Sequence, residues 1–212
     1  MLPDSRYIMA FYSLYDRALL SQARLMNLAH RFMCSSKTWK NTVETHVIPW
    51  VLENLDLGSN VLEVGPGPGV TTDLLHSRFE RLTCVEIDRG FARSLSKRMN
   101  GKNVTVVRQD ATAMSFPDSS FDGALSFTML HHVPSVALQD GLLAEVARVL
   151  RPGGIFAGVD SLSSRGFRLL HLFDTMVVVE PATFPKRLEA AGFVDVQVDV
   201  NPYAFRFRAR RP

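Results

Sequence analysis

The chain has 212 residues, with 24 Lys and Arg against 21 Asp and Glu, so it can bury one substantial core and is only mildly basic. Apolar residues make up 46% and charged residues 21%, which excludes a disordered chain, and no apolar run is long enough to span a membrane. Cys34 and Cys84 stand without neighbouring ligands, so neither a disulfide, a zinc site nor any other metal is expected, and Asp4, Arg6, Asp16 and Arg17 break up any leader-like run, consistent with a cytoplasmic protein.

Residues 1–57 are expected to form an N-terminal helical cap. Tyr7, Phe11, Leu14, Tyr15 and Ala18 recur at helical spacing, and a break at Cys34-Ser35-Ser36 precedes a second helix carrying Val43, Val47, Val51 and Leu55. In that helix Asn41 and Glu44 are placed as a capping pair, Pro49 as a kink and Gly58 as the stop. From residue 58 the pattern changes to short β-rich runs alternating with helices, with strands near 60–64, 82–86, 103–107, 122–128 and 154–160. The segment 161–181 is irregular and apolar around Phe167 to Phe173, and is expected as a short insertion closing over a ligand. A helix from Thr183 to Ala191, ended by Gly192, leads into two strands, Phe193 to Val200 and Tyr203 to Arg210, about an Asn201-Pro202 turn. The fold class expected is α/β: a doubly wound, Rossmann-like sheet of seven strands, mostly parallel, with a C-terminal antiparallel hairpin.

The run Val61-Leu62-Glu63-Val64-Gly65-Pro66-Gly67-Pro68-Gly69 feeds an apolar strand into alternating glycines, a backbone cradle for a nucleotide-like ligand at a helix start. A second apolar strand ends in Glu86, where a carboxylate can hold ribose hydroxyls. A dinucleotide fingerprint wants a glycine at position 70, but Val70 stands there, so a pyrophosphate fits poorly.

Four stretches, VLEVGPGPG (61–69), CVEID (84–88), RQDATAMSFPDSSFDGALSFTMLHHV (108–133) and EVARVLRPGG (145–154), together resemble the class I S-adenosylmethionine-dependent methyltransferases that act on small molecules. The resemblance implies S-adenosylmethionine as cofactor and S-adenosylhomocysteine as product. It places Glu63, Gly65, Pro66, Gly67 and Gly69 at the methionine end, Glu86 on the ribose, and Ile87, Asp110 and Ala111 on the adenine. Phe127 and Thr128 are expected near the transferred methyl group. His131 and His132 are the candidates for a general base, because imidazole titrates near neutrality; holding the loop is the alternative for either.

The partner expected is a small-molecule methyl acceptor, and two chains could pair through the cap. The rival is a ribosomal-RNA adenine dimethyltransferase, which the GPGPG and VEID strings also resemble. That family carries an Asn-Pro-Tyr-like motif after the fourth strand, where this chain has Ser126-Phe127-Thr128-Met129; its Asn201-Pro202-Tyr203 falls in the C-terminal hairpin and is expected as a turn. The arginines at 206, 208 and 210 alternate with Phe205, Phe207 and Ala209, the pattern of a half-buried strand more than of a nucleic-acid surface. A module that binds the cofactor without turnover, and a nicotinamide oxidoreductase, are the remaining alternatives.

Overall fold

The computed structural model describes residues 27–172 and 174–212. The expected helical face of Tyr7, Phe11, Leu14, Tyr15 and Ala18 lies outside the described residues, as does Phe173.

Helix α1 (Leu28–Cys34) is capped by Asn27, whose side chain accepts from the His30 amide. Helix α2 (Lys37–Thr42) begins at Ser36, whose hydroxyl accepts from the Trp39 amide 3.1 Å away. It passes without a break through a π-helical turn, Val43–Val47, into α3 (Ile48–Val51). The expected Asn41 and Glu44 capping pair is therefore incorrect: Ser36, directly ahead of the helix, caps it first. Pro49 does mark a distortion. It has no N–H to give and its ring crowds the carbonyl four residues back, and the helix widens just ahead of it. The helix ends at Val51 rather than at Gly58, which lies in the loop to the sheet with φ +69°.

Seven strands form one sheet in the order β3-β2-β1-β4-β5-β7-β6. These are β1 (Asn60–Val64), β2 (Arg81–Glu86), β3 (Val104–Arg108), β4 (Phe121–Phe127), β5 (Leu150–Ser161), β6 (Val194–Val200) and β7 (Ala204–Arg210). The first five are parallel, and β7 pairs antiparallel with both β5 and β6. Helices α4 (Val70–Leu75), α5 (Arg89–Arg98), α6 (Val136–Val149), α7 (Arg165–Leu170) and α8 (Phe184–Ala190) complete the described chain. Strand β5 starts four residues before the expected 154, and its register against β4 shifts between Phe121 and Gly123.

Side chains alternate across a strand, so β1 feeds two cores. Leu62 and Val64 pack with Leu142 and Val146 of α6, Phe184 and Leu188 of α8, and Phe156 of β5. Val61 packs with Leu75, Leu95 and Met99 from α4 and α5, and with Val43, Ile48 and Val51 from the segment before the sheet. Phe184 meets Phe205 and Phe207 edge-on at 5.6 and 5.1 Å between ring centres, locking α8 onto the hairpin.

The hairpin settles the role of its arginines. Phe205, Phe207 and Ala209 are buried, while Arg206 bonds Glu53, Asp199 and the Trp50 carbonyl, Arg208 bonds Gln197 and Arg210 bonds Asp195. Arg206 and Arg210 are thus paired with carboxylates and Arg208 with an amide oxygen. Asn201 accepts from the amides of Tyr203 and Ala204, so Asn201-Pro202-Tyr203 is a turn, as expected. Among the described residues no helix is long and apolar enough to cross a membrane.

Candidate functional site

The strand order reverses between β1 and β4, and in a doubly wound sheet that is where the strand ends part to form a crevice. A cavity of about 1080 Å³, mouth included, lies there. Gly65, Pro66 and Gly67 line one side, with Glu86 and Ile87 after β2, Asp110 and Ala111 after β3, and Phe127 and Thr128 at the end of β4.

The glycine loop is held from below. The Gly65 amide donates to the Val85 carbonyl at 2.8 Å, and the Gly67 amide donates to Glu86 Oε2 at 2.8 Å. Gly67 has φ +55° and faces open space, with no atom within 4 Å of where a Cβ would stand, so a ligand can lie directly on its backbone. Glu86 also accepts from the Asp88 amide through Oε1, at 2.8 Å. Burial raises its pKa, and the Asp88 and Gly67 amides act against that rise. An ionised carboxylate has about four acceptor positions, so these two bonds leave room for ribose hydroxyls.

At the adenine end, Asp110 Oδ1 accepts from the Thr112 amide and hydroxyl, both at 2.8 Å; among the described residues Oδ2 is not engaged. Gln109 spends its Oε1 on Ser115, and its Nε2, buried, has no hydrogen-bond partner among the described residues. A buried donor left unpaired is costly, and this one belongs to a cavity-lining side chain, where a ring nitrogen of a ligand could satisfy it.

Two expected contacts take another place. Glu63 lies on the Val61 face of β1, under α4 and off the cavity; Thr71 and Thr72 donate their hydroxyls to its carboxylate, the latter at 2.6 Å, and Cys84 Sγ lies 3.4 Å away. Its geometry is that of a strap from the strand to the helix beneath the loop rather than of a direct ligand contact. Gly69 is likewise off the cavity: it is the left-handed N-cap of α4, packed against Leu95 and Arg98. Of the two histidines, only His132 faces the cavity. His131 turns into the protein, with Nδ1 2.5 Å from Asp160 Oδ1 and Nε2 3.2 Å from His171 Nε2. Of the two candidates expected for the base, the cavity thus presents His132 and not His131.

Beyond the β4 end the cavity is bounded by Trp39, Val43 and Val47 from the helical segment and by Val133 and Leu142. Cys34 also lines it, whereas Phe167, expected in the segment that closes over a ligand, packs instead against His131 and His171, with ring centres 5.1 and 4.1 Å away. Thr128 is a β-branched residue at φ +48°, a costly conformation, and its amide is fixed to the Val159 carbonyl at 2.8 Å. Burial and the nearby Asp174 push the Cys34 thiol up to about 11, leaving little thiolate at neutral pH. Alkylation of Cys34 by iodoacetamide at pH 8 should therefore be at least tenfold slower in the native than in the urea-unfolded protein, as mass spectrometry of quenched aliquots would show; equal rates would contradict that burial.

Residues 62–158 match the family model described as a methyltransferase domain. That match, a little under half of the chain, and the likenesses below support a class I S-adenosylmethionine-dependent methyltransferase. Among curated relatives, a fatty-acid O-methyltransferase of Mycolicibacterium smegmatis is 38% identical over 109 residues, 49% of this chain and 38% of the relative. A ribosomal RNA small subunit methyltransferase A of Fusobacterium nucleatum is 42% identical over 60 residues, 28% of this chain and 23% of that one. The chain thus spans less than half the length of either. A solved protein of Pyrococcus horikoshii shares the fold at TM-score 0.71 and 19% identity, covering 87% of this chain and 96% of the other. The family's cofactor is S-adenosylmethionine, and the open backbone at Gly67, the Glu86 carboxylate, Asp110 Oδ2 and the unpaired Gln109 donor suit its parts. Gln109 and His30 also line the cavity, although neither is singled out by its spacing.

Proposed function

We propose that this protein transfers the methyl group of S-adenosylmethionine to a small, partly apolar acceptor by in-line displacement. The observation carrying this reading is one continuous cavity that runs from the Gly65–Gly67 cradle past Phe127 and Thr128 to a wall of Trp39, Val43, Val47, Val133 and Leu142. The cofactor, when bound, supplies an electrophilic methyl carbon on a positively charged sulfur. Gly67 and Glu86 position it, Asp110 and Gln109 fix the adenine, and the apolar wall aligns the acceptor while excluding water. Such alignment can supply roughly 7–11 kcal/mol of rate enhancement.

An acceptor that carries a proton must lose it as the new bond forms. His132 Nδ1 lies 3.3 Å from the Thr175 carbonyl, which can only accept, so Nδ1 holds the proton and Nε2 is the basic nitrogen. Burial, and then its histidine neighbours, lower its pKa well below the usual value, so the ring is neutral at pH 7 with the Nε2 lone pair open, and is a weaker base than a free imidazole. A relative named for fatty acids supports an apolar acceptor with an oxygen nucleophile. The ribosomal-RNA reading draws on a similar relative over the cofactor loop, but of the β7 arginines Arg206 and Arg210 are already paired with carboxylates and Arg208 bonds Gln197, which makes a poor basic channel for RNA.

Calorimetric titration with S-adenosylmethionine tests the reading. We expect binding that weakens tenfold or more in Glu86→Ala, about 1.4 kcal/mol, no binding of NAD, and S-adenosylhomocysteine release when hydroxylated or carboxylated lipids are added. Binding of NAD in place of S-adenosylmethionine would overturn it. Tight cofactor binding without turnover on any acceptor class would favour the non-catalytic module.

A further inference from the structure

Four imidazoles meet behind the acceptor end of the cavity. In five of the six pairings of His30, His131, His132 and His171 the ring centres lie 4.2–5.3 Å apart, and the residues come from α1, from the turn after β4 and from the end of α7. Each ring has its Nδ1 against an acceptor. His30 faces Asp174 Oδ2 at 3.0 Å, His131 faces Asp160 Oδ1 at 2.5 Å, His132 faces the Thr175 carbonyl at 3.3 Å and His171 faces the Phe167 carbonyl at 2.7 Å. A carbonyl or ionised carboxylate cannot donate, so in the neutral rings all four protons sit on Nδ1 and all four Nε2 atoms present lone pairs. His131 Nε2 and His171 Nε2 are only 3.2 Å apart, which brings two lone pairs face to face.

The charge is unbalanced as well. The side chains of Asp160 and Asp174 are fully buried, and among the described residues neither has a lysine or arginine partner. Asp174 Oδ1 has no hydrogen-bond partner among them at all. Two buried carboxylates beside neutral imidazoles call for about two positive charges. Imidazoles oriented through Nδ1 by carboxylates and carbonyls, with Nε2 turned inward, have the outer-shell arrangement of metal ligands.

We propose that His30, His132 and His171, which bring a ring nitrogen each within 4.8 Å of the others, bind one divalent transition-metal ion of the zinc class at the acceptor end of the cavity. Nitrogens about 2.1 Å from a tetrahedral zinc ion lie roughly 3.4 Å apart, so the rings close on the ion by shifts on the order of an ångström. Asp174 orients His30, and the two buried carboxylates neutralise the ion. Three histidines leave a fourth position open. His30 and His132 line the cavity, so that position faces the acceptor. There an acceptor hydroxyl or carboxyl oxygen would bind; the ion would lower the pKa of a bound hydroxyl and its proton would pass to water at the cavity mouth, while the oxygen bonds to the methyl carbon, the carbon–sulfur bond of the sulfonium breaks and its electron pair stays on the sulfur of the departing S-adenosylhomocysteine. In the loaded protein His132 is thus a ligand, and the base role assigned to it above belongs to the metal-free form. Only this role of the ion rests on the methyltransferase reading; its binding does not.

The test strips the untagged full chain with a chelator and titrates it with zinc against a chromophoric competitor. We expect one ion per chain, at least a hundredfold weaker binding in His171→Ala and roughly 10–100-fold weaker binding in Asp174→Asn. Both variants should keep the S-adenosylmethionine affinity of the parent, which shows that they are folded. If His171→Ala does not fold, the parent stoichiometry and Asp174→Asn decide. Absence of stoichiometric zinc binding, or binding unchanged in the folded variants, would overturn the site and leave protonated histidines as the balancing charge. A failed methyltransferase reading would show instead as zinc binding without S-adenosylmethionine binding.

Discussion

An alanine at Gly65 is expected to weaken S-adenosylmethionine binding at least a hundredfold, about 2.8 kcal/mol, in a protein that still folds. Gly65 has φ +64°, where a side chain costs roughly 1–2 kcal/mol. Its Cβ would also overlap Met129 Cγ and stand 3.0 Å from the sulfur. Met129 cannot simply swing away, because it packs against the core behind β4 and follows Thr128, which is pinned to Val159. The cradle must give instead. Any shift there draws the Gly67 amide off Glu86, so the methionine and ribose contacts fail together. Adding Met129→Ala removes the overlap but not the torsional cost, and should restore roughly tenfold of the loss. Calorimetry on the two variants would decide it, and an unchanged affinity in the single variant would refute the assigned cradle.

Gly158→Ala should act on the fold itself. Gly158 sits in β5, between β4 and β7, where a Cβ would collide with the Ser126 carbonyl oxygen and lie 2.6 Å from Phe207 Cζ. A backbone oxygen in the centre of a sheet has nowhere to go, and Phe207 is held edge-on by Phe156 and Phe184. Overpacking commonly costs about 1–3 kcal/mol, and with two immovable neighbours the upper end is expected. A loss of about 3 kcal/mol would lower Tm by roughly 6–12 °C in a chain of this size. Gly166→Ala, in α7 with open space around it, should be neutral or slightly stabilising in the same melting experiment. Equal Tm values for the two variants would mean that β5 is not packed as described.

What the sequence disclosed follows from how local each signal is. The glycine loop, Glu86 and Asp110 lie at strand ends bounded by apolar runs, and each expected strand is present to within a few residues. The exchange of Glu63 from ligand contact to strap follows from period-two alternation: it shares the Val61 face of β1, which looks onto α4 and its two threonines. Local spacing misled at Asn41 and Glu44, because a serine directly before a helix satisfies its first amides before an internal pair can. The histidine cluster had no such trace. His30, His132 and His171 lie 102 and 39 residues apart, and only the path of α1 and α7 over the β4 end unites them.

The π-helical turn at Val43–Val47 has a consequence for how this pocket can change. A π-turn absorbs one residue more than the α-helix needs, so losing a single residue there would return the helix to regular pitch with the faces on either side still in register, and Trp39 would stay on the cavity wall. The same loss from the regular turns between Trp39 and the sheet would turn Trp39 away by about 100°. The π-turn is therefore the place where the helix bounding this pocket can change length without changing what it presents.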